Sequence, residues 1–328
     1  MLCRMVVCFI VFLSTAILCN MSRVLAVQPG EEKVSEEELT PTDVPLIAKY
    51  VPIAPAPMKV TVESLRDIFA EAAPLNITLQ KQDKAIPNGG GSVQGISVKA
   101  VHDSKFVYFL LEWSDNAKDS SAMAPQLYRD AVALMFPVGK WTIDKDHPFS
   151  PRMGDREKPV NLWHWKADWQ RDMASGGEHM IKLEEQYPNM WDNYSSDNYS
   201  LPARENLYNS AAMYSGGRSA NNMFSMPNRG TTVEDLNAEG FYTLTTQEHQ
   251  DVAGQGIWEN GHWYVLITRR LVTSDNFDVQ FVPGDQTYFN IAVWNGSANE
   301  VNGEKNISIR WHPIRLEQVP YETVKPRS

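Results

Sequence analysis

The chain has 328 residues, 43% of them hydrophobic and 21% charged, with a formal net charge of −10 at pH 7. This length allows one large or two ordinary domains with a sizeable core, and the acidic balance argues against a nucleic-acid partner, which calls for a basic face. All three cysteines (Cys3, Cys8 and Cys19) lie near the start. The rest of the chain therefore offers no disulfide, no thiolate-held iron–sulfur cluster, no thiol nucleophile and no Cys-x-x-Cys-His haem attachment.

Residues 1–26 read as a secretory signal peptide. Arg4 precedes an apolar run from Met5 to Cys19, and Val24-Leu25-Ala26 forms a small-residue cleavage pattern. The run is shorter than the ~20 residues of a membrane-spanning helix. The expected protein is thus exported, in a periplasm or an equivalent bacterial lumen such as the anammoxosome, and not integral to a membrane once the leader is removed. Residues 27–57 form an extended lead-in, first acidic (EEKVSEEEL) and then proline-rich, with five prolines from Pro41 to Pro57. Such a stretch hugs a surface rather than folding alone.

From residue 58 to about 320 the pattern is that of one domain. Strands are expected at Lys59–Val62 and Leu75–Leu79. A hairpin follows, in which Ile96, Val98 and Ala100 alternate, His102–Lys105 turns, and Phe106–Trp113 returns. Ala131–Phe136 reads as a buried strand ended by Pro137, and Val160–Trp169 as a second apolar segment. Asn260-Gly261 makes the turn of another hairpin, flanked by Ile257-Trp258 and the alternating Trp263, Val265 and Ile267. Tyr288–Trp294 and Ile307–Trp311 complete the set. Residues 170–232, rich in Asn, Tyr, Ser, Met and Gly, read as a long loop-rich insertion, with short helices near Glu178–Gln186 and Thr232–Glu239. The fold class is all-β: an antiparallel β-sandwich with a long insertion and few short helices.

Chemistry is sparse. The seven histidines show no His-x-x-x-His spacing for zinc, no serine-nucleophile or phosphate-loop motif occurs, and no catalytic role is expected of this chain. What stands out is Met153 in a polar loop, followed by Trp163, His164, Trp165 and Trp169. With Trp141, these aromatics could wall a flat apolar ligand, or equally form sandwich core or stack sugars.

Six blocks, at 102–115, 128–137, 151–170, 232–245, 256–271 and 289–311, together resemble a known family. It is the haem b-binding gamma subunits of type II dimethyl sulfoxide reductase-like molybdoenzymes, which include ethylbenzene and dimethylsulfide dehydrogenases. The insertion after the Trp-rich segment is most similar to that of the nitrite oxidoreductase gamma subunit. The resemblance implies a β-sandwich with one non-covalent haem b at its edge, taken here to lie between the two sheets. It implies a molybdopterin alpha subunit and an iron–sulfur beta subunit as partners, and a c-type cytochrome as acceptor. The family's axial methionine falls on Met153, in its Met-Gly-Asp block, and its axial lysine on Lys305, in Gly303-Glu304-Lys305. Read from the residues themselves, Trp163 and Trp165 would wall the pocket, His164 would line it or rival the methionine as an iron ligand, and Met135 is a further competitor whose place in a strand reads as core. Arg269 would meet the propionates, although Arg270 stands where the family has proline. Two other readings accompany this one: a haem-free tethering or assembly paralogue, and a secreted carbohydrate-binding module stacking sugars on Trp163, Trp165 and Trp169.

Overall fold

The computed structural model describes residues 38, 40–52, 60–122, 125–144, 147, 149–174, 220, 222–225 and 229–320. They belong to one compact unit, 34–328. The leader and the helix expected near Glu178–Gln186 lie outside the described residues, as does most of the insertion.

Among the described residues fourteen strands run in chain order: β1 (Leu46–Tyr50), β2 (Leu75–Thr78), β3 (Gln80–Lys81), β4 (Gly95–His102), β5 (Phe106–Ser114), β6 (Ala131–Pro137) and β7 (Val160–Lys166), then β8 (Val233–Ala238), β9 (Thr245–Thr246), β10 (Ala253–Glu259), β11 (His262–Arg270), β12 (Gln286–Trp294), β13 (Asn306–Ile307) and β14 (His312–Leu316). The helices are α1 (Val62–Ile68) and α2 (Ala167–Ala174). The first sheet has the order β10-β11-β5-β4-β1-β14, and the second β12-β6-β7-β8-β9. Strand β12 belongs to both. Its first half pairs with β14 and its second half with β6. The change of partner falls at Asn290, whose side chain takes the Ile291 N–H at 2.7 Å and donates to the Arg310 carbonyl at 2.9 Å.

Both expected hairpins are present, β4–β5 and β10–β11, the second with Asn260 and Gly261 at positive φ as its turn requires. Three segments differ from expectation. Of the strand expected at Lys59–Val62 the described residues, Val60–Val62, form none, because Thr61 caps α1: Ser64 N–H donates to Thr61 Oγ1 at 3.2 Å and Thr61 N–H to Ser64 Oγ at 2.9 Å. Val233–Ala238 is a strand rather than a helix. Its polar residues find tertiary partners, with Glu234 bound to Lys166 and Asp235 to Asn161. The proline-rich lead-in supplies β1, which runs parallel to both β14 and β4 inside the first sheet, so the sandwich is not purely antiparallel.

The main core fills the space between the sheets. Phe109, Leu111, Trp113, Val265 and Ile267 come from one side, and Val132, Leu134, Phe136, Trp163 and Trp165 from the other. Among the described residues no helix is long and apolar enough to cross a membrane.

Candidate functional site

Side chains alternate across a strand, so the inward set of the second sheet fixes its outward set. On β6 that outward set is Ala131, Ala133 and Met135; on β7 it includes Leu162 and His164; on β12 it is Asn290, Ala292 and Trp294. Alanines on adjacent strands (Ala133 and Ala292 are directly paired) leave a shallow trough on the outer face. Loops at 80–91, 125–129, 151–154 and 300–305 roof it. The result is a cavity of about 770 Å³, continuous in its lining with a smaller one of about 150 Å³. Met153, Lys305, Trp294, Ala133, Leu162 and Phe241 line both. The larger volume is within the ~300–1,000 Å³ range of cofactor sites. The ligand space is therefore outside the sandwich, against one sheet, and not between the two sheets as expected.

Lys305 enters this cavity from the residue before β13. Its backbone is clamped: Gln82 N–H donates to the Lys305 carbonyl at 3.0 Å, and Lys305 N–H to the Gly89 carbonyl at 3.3 Å. Gln82 is buried and holds the neighbouring loop ends together, donating from Nε2 to the carbonyls of Ala85, Pro87 and Gly303 at 3.0, 3.1 and 2.9 Å. Gly90 (φ 100°) lies so close that a Cβ would stand 2.1 Å from the Lys305 carbonyl oxygen. At Gly91 (φ 99°) the nearest atom, Lys81 Cβ, is 3.6 Å away. Gly90→Ala is therefore expected to cost at least about 2–3 kcal/mol and to displace Lys305. Gly91→Ala, with backbone strain alone, should cost ~1 kcal/mol. Denaturant midpoints of the two variants check this, and equal losses would contradict the packing argument.

The Lys305 amine faces Met153, with Nζ 4.0 Å from Sδ. It also lies 5.2 Å from the centroid of the Trp294 ring, and no carboxylate among the described residues pairs with it. Burial without a counter-charge pushes the ammonium down to about 8. A neutral amine is thus more accessible here than on a surface lysine. Met153 sits in the left-handed region (φ 63°), followed by Gly154 (φ 79°). A Cβ on Gly154 would meet the Lys158 carbonyl at 2.7 Å. Gly240 N–H fixes the Met153 carbonyl at 2.8 Å. A non-glycine residue held at positive φ marks stored strain, and here it aims a thioether into the cavity.

His164 joins this pair. Its ring stacks on Trp294 at 4.7 Å, and Nε2 is buried with no hydrogen-bond partner among the described residues. Burial first, and then the charges of Lys166, Arg129 and Lys305, hold the imidazole neutral, well below the usual histidine range. The structure thus brings Met153, Lys305 and His164 to one cavity. It does not bring Trp163, Trp165 or Arg269 there. Trp163 and Trp165 point from β7 into the main core, because large rings fill the space between sheets. Arg269 follows Trp263, Val265 and Ile267 on the inward face of β11. Its guanidinium is spent on Asp278 and Asn161, each at 3.1 Å, and stacks on Trp163 at 4.8 Å. Trp169 is buried beside Lys166, whose Nζ is 3.9 Å from the ring centroid, and Trp141 packs edge-on against Phe149. Sugar stacking on Trp163, Trp165 and Trp169 is therefore closed off. Trp294, Gln82 and Arg129 were missed. For Trp294 a signal existed, since Ala292 and Trp294 alternate out of phase with the apolar Ile291 and Val293.

A model of the family described as ethylbenzene dehydrogenase matches residues 66–306. The chain belongs to the ethylbenzene dehydrogenase family. A Haloferax mediterranei member assigned as a respiratory nitrate reductase heme subunit is 23% identical over 273 residues, covering 82% of this chain and 73% of that protein. The dimethylsulfide dehydrogenase gamma subunit of Rhodovulum sulfidophilum is 23% identical over 68% of this chain and 61% of its own length. The chlorate reductase gamma subunit of Ideonella dechloratans is 22% identical over 70% and 67%. Among solved structures, a family 9 carbohydrate-binding module from Caldicellulosiruptor kristjanssonii covers 86% of this chain and 99% of its own, at 10% identity and a TM-score of 0.38. That likeness is too slight to build on. The family assignment agrees with the resemblance carried by the six sequence blocks.

Proposed function

We propose that this ethylbenzene dehydrogenase family chain is the electron-transfer gamma subunit of a molybdoenzyme complex. In this reading it holds one non-covalent haem b with Met153 and Lys305 as the two iron ligands. The observation that carries the reading is the 4.0 Å separation of Lys305 Nζ and Met153 Sδ at the cavity. Bonds from a first-row metal to nitrogen and to sulfur are roughly 2.0–2.3 Å, so the two side chains are close enough that both would hold one ion. A sugar or an assembly contact needs no such pairing.

A bound haem supplies a one-electron couple. The chain's own residues set its terms. The Met153 thioether, a soft donor, favours reduced iron and raises the potential. Lys305 offers a neutral amine because burial has already lowered its proton affinity. Trp294, Leu162 and the alanine trough would keep water from a bound haem. Arg129, which lines the cavity and is held by Asp168 at 2.8 Å, would meet a propionate in this reading, in the role expected of Arg269.

The partners in this reading are a molybdopterin alpha subunit and an iron–sulfur beta subunit, with electrons exchanged with a c-type cytochrome in an exported compartment. Nitrite oxidoreductase is the complex favoured by the similarity of the 170–232 insertion. The test is a dithionite-reduced minus oxidised spectrum of the complex isolated from its source, with haem counted per gamma chain. One low-spin b-type haem per chain is expected. A complex that is complete in its other subunits but carries no haem on this chain would replace the reading with the haem-free tethering one.

A further inference from the structure

A second site lies at the end of the core, away from the cavity. Asp235 comes from β8, Asp251 from the segment entering β10, and Asp278 from the segment leaving β11. One carboxylate oxygen from each lies within 4.8 Å of the other two. Asp235 and Asp278 are buried, whereas Asp251 is open to solvent.

Arg269 offsets part of the cluster's charge, since its guanidinium acts on all three carboxylates, but its hydrogen bonds are drawn to one of them and to groups outside the cluster. It donates to Asp278 and Asn161 at 3.1 Å, to the Val279 carbonyl, and from Nε to the Arg270 carbonyl at 3.3 Å. None of these bonds reaches Asp235 or Asp251. Asp235 Oδ1 accepts from Asn161 at 2.6 Å and from Gln247 Nε2 at 3.1 Å. Asp235 Oδ2 has no partner, although the residue is 0% exposed. Gln247 Oε1 is a second orphan, on a side chain that is only 9% exposed and whose Nε2 touches both Asp235 and Asp278. Two buried acceptors without partners in the hydrogen-bond network, beside three converging carboxylates, form an electron-rich gap that either a proton shared between Asp235 and Asp251 or a cation can fill.

We propose that Asp235, Asp251 and Asp278 bind one calcium ion, with Gln247 contributing its amide oxygen after a half-turn of the carboxamide. The donors are all hard oxygens, which suit calcium or magnesium better than zinc or copper. Oxygens around calcium, at ~2.4 Å, lie up to ~4.8 Å apart, while around magnesium they stay within ~4.2 Å. One oxygen from each aspartate, all within 4.8 Å of one another, is a spread that calcium accommodates. Asp251 provides the entry path. Filled, the site staples β8 of the second sheet to the segments bordering β10 and β11 of the first. Leu236, the residue after Asp235, lines the haem-sized cavity, so the staple also fixes one of its walls.

The test uses the full-length chain. Calcium retained after equilibrium dialysis is counted, and thermal unfolding is compared in chelator and in about 1 mM calcium, the upper range of extracellular sites. One calcium per chain and a higher Tm are expected. Asp251→Asn, at an exposed position that leaves folding intact, should weaken binding at least about ten-fold. No retained calcium with an unchanged Tm would overturn the proposal and leave a proton shared among the carboxylates. Undiminished binding by Asp251→Asn would overturn it too, assigning the ion to another acidic patch.

Discussion

Lys305→Ala is expected to strip most of the haem from the chain, lowering haem per gamma subunit on the order of ten-fold or more. Lys305→Arg should fare no better. A guanidinium keeps the positive charge but cannot become a neutral ligand, so the pair of variants separates ligation from electrostatics. Met153→Ala should be milder in occupancy and larger in potential. Losing the thioether removes the donor that favours reduced iron, and the midpoint should fall on the order of 100 mV. Difference spectra and a redox titration of each complex provide the readout. Variants at both positions that keep the parental spectrum and potential would remove this ligand pair and turn attention to His164 and Met135, which share the cavity wall.

Trp163→Ala should destabilise the fold by about 3–5 kcal/mol without directly touching a ligand. The ring is fully buried, 4.7 Å from Phe136 and about equally distant from Phe109 and Phe281, both at 6.0 Å. Its Nε1 donates to Asn161 Oδ1 at 2.9 Å, and the Arg269 guanidinium covers one face. Removing it opens a void and strands a polar network at the same time. Trp163→Phe should recover part of the loss by filling space. Denaturant unfolding gives the number. A loss below about 1 kcal/mol would mean that the side chain is surface-like, as the sugar-binding reading required.

These two outcomes show what the sequence disclosed and what it hid. Strand alternation on β4, β5, β6, β11 and β12 was legible, and with it the two hairpins and the sandwich. Alternation says which residues share a face, but not which face is covered. The Trp-rich face of β7 looked like a ligand wall, yet bulky rings are what a space between sheets demands, and the site formed on the alanine face instead. Val233–Ala238 misled for a related reason. Its charges have partners distant in sequence, and a local reading sees only polarity. Met153 and Lys305 could not be paired from composition or periodicity, since each sits in an ordinary turn and the two are 152 positions apart. Only the family resemblance joined them, and the fold places them face to face.

The position of the cavity also bears on biogenesis. The core between the sheets is filled by the chain's own aromatic side chains and can close before any cofactor arrives. The trough outside it is roofed by turns whose anchors, Gln82, Gly90 and Gly154, are backbone contacts of the polypeptide itself. Maturation can therefore proceed in two stages, with the sandwich completed first and the prosthetic group admitted later by the parting of surface turns.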